Sequence, residues 1–319
     1  MSLLPRHIEA MRAWLDFAEE VIAVDSDSND GTLEFLRREL THPKTRVLTH
    51  PPGLYQSWNF GIAQCRAKYV YISTVGETIT REGIESLFRA AESLRADAVI
   101  SPPRMVKMSG EAKDKTWPVH TLIDELKLSA PFALEGAAAE LFALMNLRRG
   151  LLGSSASNLY RAEVLQRFPF RTDFGTAGDL AWGLEHAGEI RLAIVPRSFS
   201  TFVFHPKSYA KGDYAVNDFN EKCLLVAREA VSRGAWRKPG ATPNSNTERL
   251  LNELLVAWEK HLADKRRVTE FKARGLWWLS PAAWRAHQHR ARTLRALTML
   301  QSNAMLELAA HVTHDLRPR

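Results

Sequence analysis

The chain of 319 residues has two cysteines, Cys65 and Cys223, so no disulfide framework holds its fold and a cytoplasmic setting is expected. No stretch reaches the roughly 18 uncharged apolar residues that a membrane span requires. Arg6, His7, Glu9 and Arg12 break up the N-terminal segment, and no secretory leader is expected there. There is no internal repeat and no long low-complexity tract. A glycine-rich loop followed by Lys or Arg is also missing near the N-terminus, which argues against a nucleotidyltransferase.

What remains is ordinary globular composition, 45% hydrophobic and 25% charged, which argues against a mainly disordered chain. The net charge of +7 is unevenly spread. Residues 1–220 carry 25 Lys/Arg and 27 Asp/Glu, whereas residues 221–319 carry 18 Lys/Arg and 9 Asp/Glu. The whole positive excess is therefore C-terminal, which marks two surfaces with different uses.

The run Glu20-Val21-Ile22-Ala23-Val24-Asp25 is apolar and β-rich between charged ends, and predicts a buried strand. An amphipathic helix over 7–17 precedes it. After it, Ser26-Asp27-Ser28-Asn29-Asp30-Gly31 is a cluster of turn and cap formers. Leu33, Leu36 and Leu40 then recur at helical spacing, with Asp30 or Thr32 placed to cap the first turn. Strands are expected over 45–49, 68–73 and 97–101, with helices over 58–64 and 81–94 between them. Residues 104–150 are mixed, with a helix over 137–147. Later strands at 159–160, 194–196 and 201–204 flank a helix over 180–186. Beyond about residue 217 the strand signals stop, and Pro239-Gly240-Ala241-Thr242-Pro243-Asn244-Ser245-Asn246 interrupts two helical stretches. Strands alternating with helices indicate an α/β fold with a mostly parallel sheet. The expected division is an α/β domain over 1–216 and a basic, Trp-rich helical region over 217–319.

In an open α/β sheet, ligands bind beyond the carboxyl ends of the strands, where Asp25, Ser26, Asp27 and Asp30 fall. A carboxylate there accepts hydrogen bonds from the imide of a uracil-like base or from a ribose hydroxyl. The alternative is helix capping, which suits Asp30. Val24-Asp25-Ser26-Asp27-Ser28-Asn29-Asp30-Gly31-Thr32 resembles the V-D-x-x-S-x-D-G-T signature of the family-2 glycosyltransferases, which have the Rossmann-like GT-A fold. Trp58-Asn59-Phe60-Gly61-Ile62-Ala63 resembles the family's next helix, and Lys68-Tyr69-Val70-Tyr71-Ile72 the strand leading to its Asp-x-Asp loop. Ser157-Asn158-Leu159-Tyr160-Arg161 with Phe170, then Gly178-Asp179 and Phe204-His205-Pro206, follow in the family's order. Each motif is weak alone, and their order across residues 20–208 carries the resemblance.

The resemblance implies transfer of a sugar, with inversion, from a nucleotide-diphosphate donor to a hydroxyl of a glycan or lipid-linked acceptor. It implies a donor site formed by Asp25, Ser26, Asp27, Asp30, Asn59, Thr74 and Glu77. It makes Asp179 the general base that deprotonates the acceptor. Asp179 also stands where it would cap the following helix, and the two roles are compatible.

Two departures bear on this. The family's Asp-x-Asp holds a divalent cation, whereas this chain has Ser73-Thr74-Val75-Gly76-Glu77-Thr78, with Thr74 and Gly76 at the acidic positions. Hard cations prefer several oxygen ligands. Three alternatives follow: a weakened Mg2+ or Mn2+ site built from Glu77 and His205, a metal-independent site, or a chain that binds nucleotide or glycan, or scaffolds, without transferring sugar. Second, the family opens on a strand, whereas this chain opens on Ser2-Leu3-Leu4-Pro5-Arg6 and a helix. A truncated start, with a gap in the sheet and nucleotide pocket, is the expectation.

In the basic third, Trp258, Trp277, Trp278 and Trp284 lie among Lys265, Arg266, Arg267, Lys272, Arg274, Arg285, Arg290, Arg292 and Arg295. Tryptophans packed in a helical appendage with solvated charges rank first. Peripheral contact of 221–319 with the inner face of a membrane ranks second. Nucleic acid is not expected as a partner, because no recognition motif accompanies the charge.

Overall fold

The structure, a computed structural model, describes residues 3–114, 116–204, 216–237, 245–273, 278 and 280–315. The chain divides into two compact units. The first comprises Met1–Leu134, Gly150–Gly183 and Ile190–Gly212. It begins with α1 (Leu4–Met11), β1 (Val21–Asp25), α2 (Thr32–Glu39), β2 (Thr45–Thr49) and α3 (Leu54–Ala63). There follow β3 (Tyr69–Tyr71), β4 (Thr78–Ile79), α4 (Arg81–Ser93), β5 (Ala98–Ile100), β6 (Arg104–Lys107), α5 (Pro118–Leu126) and β7 (Phe132–Glu135). After α6 (Ala137–Met145) come β8 (Asn158–Arg161), α7 (Ala162–Arg167), α8 (Gly178–His186), β9 (Arg191–Ile194) and β10 (Ser200–Phe204). The chain ends in α9 (Val216–Arg233), α10 (Ser245–Ala273) and α11 (Pro281–Asp315).

The α/β alternation is as the periodicity indicates. Parallel pairing holds for β1 with β2, β5 with β9 and β6 with β10. The five-stranded sheet, in order β3-β8-β5-β9-β7, is mixed, because β8 runs antiparallel between β3 and β5. β8 carries the buried Leu159 and Tyr160, and its register sets Val70 and Ala98 against Tyr160.

β1 and β2 form a separate two-stranded sheet. Among the described residues β1 pairs with β2, and β3 pairs with β8. Glu20 holds the base of β1 to the chain ahead of β3: its Oε1 accepts from the backbone N–H of Arg66 and Ala67, and its Oε2 from Arg46.

The main core of this unit joins Leu4, Ile8 and Met11 of α1 to Ile84, Leu87 and Ala91 of α4 and to Val99. α4 forms because its apolar residues recur on one face and Thr80 caps it, its hydroxyl accepting from the Gly83 N–H at 3.1 Å. The helix expected over 7–17 stops at Met11, and Leu15–Phe17 is a separate 3-10 turn. Between the two, Trp14 is buried and set edge-on against Tyr71 with ring centroids 5.3 Å apart.

The second unit comprises Glu135–Arg149, Leu184–Glu189 and Asp213–Arg319, and its long elements are helices. α6 is apolar on nearly all sides and buried. Its last carbonyls are satisfied from outside the helix: the Trp258 indole donates to Leu144 O at 2.9 Å and Gln301 to Met145 O at 2.6 Å. Trp258 and Trp236 are buried, whereas Trp278 and Trp284 are exposed. Trp277 and most of the expected linker around 239–246 lie outside the described residues.

Candidate active site

β1 delivers Asp25 to its carboxyl end, where the residue is 3% exposed. One carboxylate oxygen, Oδ2, accepts the Ser28 N–H at 2.9 Å, while the other, Oδ1, is buried without a partner. Ser26 shares a hydrogen bond between hydroxyls with Ser57 of α3 at 2.8 Å. Asp27 turns the loop in the left-handed region at φ 58°, which Asp tolerates better than most residues. Asp30 accepts from the backbone N–H and hydroxyl of Thr32, at 3.2 and 2.6 Å, beside the start of α2. The N-cap of α2 is Gly31, in the left-handed region at φ 82°, so Asp30 stands one residue ahead of the cap and serves the helix only through Thr32; Asp25 is the buried acid of the loop.

α3 connects this loop to the second acidic group. Tyr55, two residues before Ser57, is buried and donates its hydroxyl to Asp179 Oδ1 at 2.8 Å. Asp179 lies in the first turn of α8 and also accepts the Leu180 N–H at 2.8 Å. Beneath it is an aromatic floor of Tyr55, Trp58, Tyr160, Phe170 and Trp182, with neighbouring ring centroids 5.0 to 6.0 Å apart. Burial pushes the Asp179 carboxyl above its ordinary value, while the Tyr55 hydroxyl and the Leu180 N–H pull the other way. A partly buried carboxylate with a raised affinity for protons is suited to general-base work.

Asn59 is committed elsewhere: its Nδ2 donates to Phe170 O at 2.8 Å and its Oδ1 accepts the Phe170 N–H at 2.9 Å. It fixes the segment leading to α8, so its bearing on a donor would be through position.

Gly178 is set by packing. A Cβ there would lie 2.3 Å from Arg171 O and 2.6 Å from Tyr55 Cδ2. The glutamate that the family places before the aspartate has no room in this chain.

The loop after β3 is a network of hydroxyls. Ser73 Oγ lies 3.1 Å from His7 Nε2, and Thr74 Oγ1 lies 2.8 Å from Ser155 Oγ. Glu77 Oε2 accepts from the Ser154 hydroxyl, from the Ser155 hydroxyl at 3.2 Å and from the Ala156 N–H at 3.3 Å. Burial pushes the Glu77 carboxyl above its usual range, and the charge of Asp179 adds to the rise. Glu77 and Asp179 therefore sense one another electrostatically. Ser154, Ser155 and His7 are the residues sequence reasoning passed over. The run Gly153-Ser154-Ser155-Ala156-Ser157, small and polar just ahead of a strand, was the available signal.

These residues do not fit a resident divalent cation. Glu77 is held by three donors and biased towards its neutral form, and among the described residues no group of three His, Cys, Asp or Glu is arranged to hold a metal. His205 lies outside the described residues.

Residues 2–143 match the model of the family described as glycosyl transferase family 2. Asp179 lies beyond the matched residues. Among solved structures, Staphylococcus aureus TarS 1-349 in complex with UDP is 13% identical, with 92% of this chain and 85% of that chain covered at a TM-score of 0.55. The same TarS segment in complex with UDP-GlcNAc is 12% identical over the same shares, with a TM-score of 0.58. S. aureus TarS is 13% identical, with 92% of this chain and 51% of that chain covered at a TM-score of 0.54. At these identities the likeness establishes the shared GT-A fold. No curated protein matches the chain.

Proposed function

We propose that the chain is a family-2 glycosyltransferase that transfers a sugar, with inversion, from a uridine-diphosphate donor to a hydroxyl of a glycan or lipid-linked acceptor. The observation that carries the reading is the Asp25 carboxylate: one oxygen is fixed by Ser28, and the other is buried without a partner at the mouth of the β1 loop. Leaving a buried acceptor unpaired costs about 1–3 kcal/mol, which an N–H of a base or a ribose hydroxyl would recover. The TarS structures with UDP and UDP-GlcNAc favour the uracil nucleotide as the first donor class to try.

In this reading Asp25 orients the nucleoside, with Ser26 and Asp27 shaping the loop. Asp179 takes the proton of the acceptor hydroxyl as its oxygen bonds the anomeric carbon and the bond to the donor phosphate breaks. The nucleoside diphosphate carries away the electron pair. Tyr55 positions Asp179 and steadies its charge. Thr74 lines the loop that the resemblance places against the diphosphate. No step is routed through a metal ion.

The exposed Trp278 and Trp284, amid the basic C-terminal residues, support peripheral contact with an anionic membrane surface on the cytoplasmic side, as a lipid-linked acceptor would require. No described helix is long and apolar enough to cross a membrane.

A second reading, nucleotide or glycan binding without transfer, is favoured by one observation: Glu77 is occupied by Ser154, Ser155 and Ala156. One experiment separates the two. Thermal shifts with UDP-, GDP- and dTDP-linked sugars, in Mn2+ and in EDTA, are followed by donor-hydrolysis assays of the wild type and Asp179→Asn. Turnover with a UDP-sugar that collapses in Asp179→Asn supports transfer, and binding without turnover establishes the second reading.

A further inference from the structure

Among the described residues, the second unit holds a group of cations that outnumber the one buried acid beside them, Asp264. Arg148 follows α6, His261 and Lys265 stand one turn apart on α10, and Arg290 lies on α11. Three tethers bring these elements to one place. Trp258, one turn before His261, donates to Leu144 O, one turn before Arg148. Gln301 of α11 donates to Met145 O. His289 Nδ1 lies 2.8 Å from Asp264 Oδ2, which sets Arg290 beside Lys265.

The nearby acids are already taken. Asp264 is engaged by His289, and Glu221 pairs with Arg266 at 2.9 Å. Arg148 Nε is buried without a hydrogen-bond partner, and so is Nδ1 of His261, a residue only 5% exposed. Burial, then Arg148 and Arg290, hold the Lys265 ammonium below its ordinary value. The His261 imidazole is lowered by burial and then by Arg290, Lys265 and Arg148, with Asp264 acting in the opposite direction. On α9, Cys223 also senses Arg148, which opposes the rise of its thiol to about 12 by burial.

Unpaired cations gathered in a half-buried place are costly unless an anion joins them. Three cations and an imidazole offer more positive charge than one carboxylate would balance. They suit a tetrahedral oxyanion with two charges and several acceptor oxygens.

We propose that Arg148, His261, Lys265 and Arg290 form a binding site for a phosphate group, either free phosphate or the phosphate of a lipid headgroup.

The test uses the full chain. Thermal unfolding is followed in sodium phosphate and in sodium chloride of matched ionic strength, and co-sedimentation is measured with phosphatidylglycerol and with phosphatidylcholine vesicles. The wild type is compared with Lys265→Met and Arg290→Gln. The expected result is a rise of several degrees specific to phosphate, or sedimentation specific to phosphatidylglycerol, lost in both variants. The first outcome identifies free phosphate as the source and the second a headgroup. Without phosphate, each variant should melt at or above the wild-type temperature, because it relieves like-charge repulsion. Three results would overturn the proposal: phosphate and phosphatidylglycerol both without specific effect, binding that survives both substitutions, or variants that melt lower than wild type in phosphate-free buffer.

Discussion

The Tyr55 hydroxyl donates to Asp179 Oδ1 at 2.8 Å, across 124 positions of sequence. The bond favours the charged form of a carboxyl that burial drives towards neutrality. Tyr55→Phe keeps the ring packed on Trp58 and Phe170 and removes this bond together with the hydroxyl's 3.2 Å contact to Thr176 O. Sugar transfer by Tyr55→Phe should fall about tenfold at neutral pH, a loss of the order expected for one hydrogen bond to a charged group. The acidic limb of its pH–rate profile should move to higher pH. A profile that falls in amplitude without moving would remove Tyr55 from the control of Asp179.

Asp179→Asn should lower turnover by roughly 10²–10⁴-fold, the range of general acid–base contributions. Its stability should go the other way. A carboxyl whose folded pKa lies above its unfolded value destabilises the fold as pH rises between the two. The amide should therefore melt no lower than wild type at neutral pH, as read by calorimetry.

Asp25→Ala removes both the Ser28 contact and the buried oxygen left for the nucleoside. Titration calorimetry with UDP should show affinity reduced about 10–100-fold, corresponding to roughly 1.5–3 kcal/mol for a hydrogen bond to a charged group. Asp30→Ala, which removes only the bonds to Thr32 at the start of α2, should change UDP affinity far less.

Gly178→Ala should cost about 1–3 kcal/mol in urea unfolding, the range seen for overpacked sites, because its Cβ collides with Arg171 O and the Tyr55 ring. Gly178→Glu should be worse.

In the second unit, Glu140 is 2% exposed and accepts the Gly188 N–H at 3.1 Å. Burial raises its carboxyl to about 8, with Arg233 pulling it down and Glu189 pushing it up. The folded state thus holds a proton that the unfolded chain releases near its ordinary value of 4.5, so stability falls as pH rises from there to about 8. Melting temperature should decline across that window in the wild type and decline less in Glu140→Gln.

Much of the fold was legible because the information is local. The strand over 45–49 appears as Thr45–Thr49, and the helix over 81–94 as Arg81–Ser93, since each carries its own periodicity and caps. In the mixed stretch 104–150 the helix over 137–147 appears as Ala137–Met145, but β6, α5 and β7 were not legible, being short and owing their form to their neighbours. α3 shows the same limit at the site. Its sequence marks a helix, yet nothing local says that Tyr55, Ser57 and Asn59 bind Asp179, Ser26 and Phe170 respectively.

The sequence by itself determined the order of elements, the acidic loop after β1, the loss of acids at Thr74 and Gly76, and the basic C-terminal third. These depend on residue type and on spacings of a few positions, which physical chemistry reads without a fold. Tertiary structure decided which oxygen of Asp25 is left unpaired, that Glu77 serves Ser154 and Ala156, that Gly178 excludes a side chain, and that Arg148, Lys265 and Arg290 gather around a single buried acid, Asp264. Each of those depends on burial and on partners distant in the chain, and a carboxylate or guanidinium acquires its character only once the fold has removed its water and supplied, or withheld, its partner.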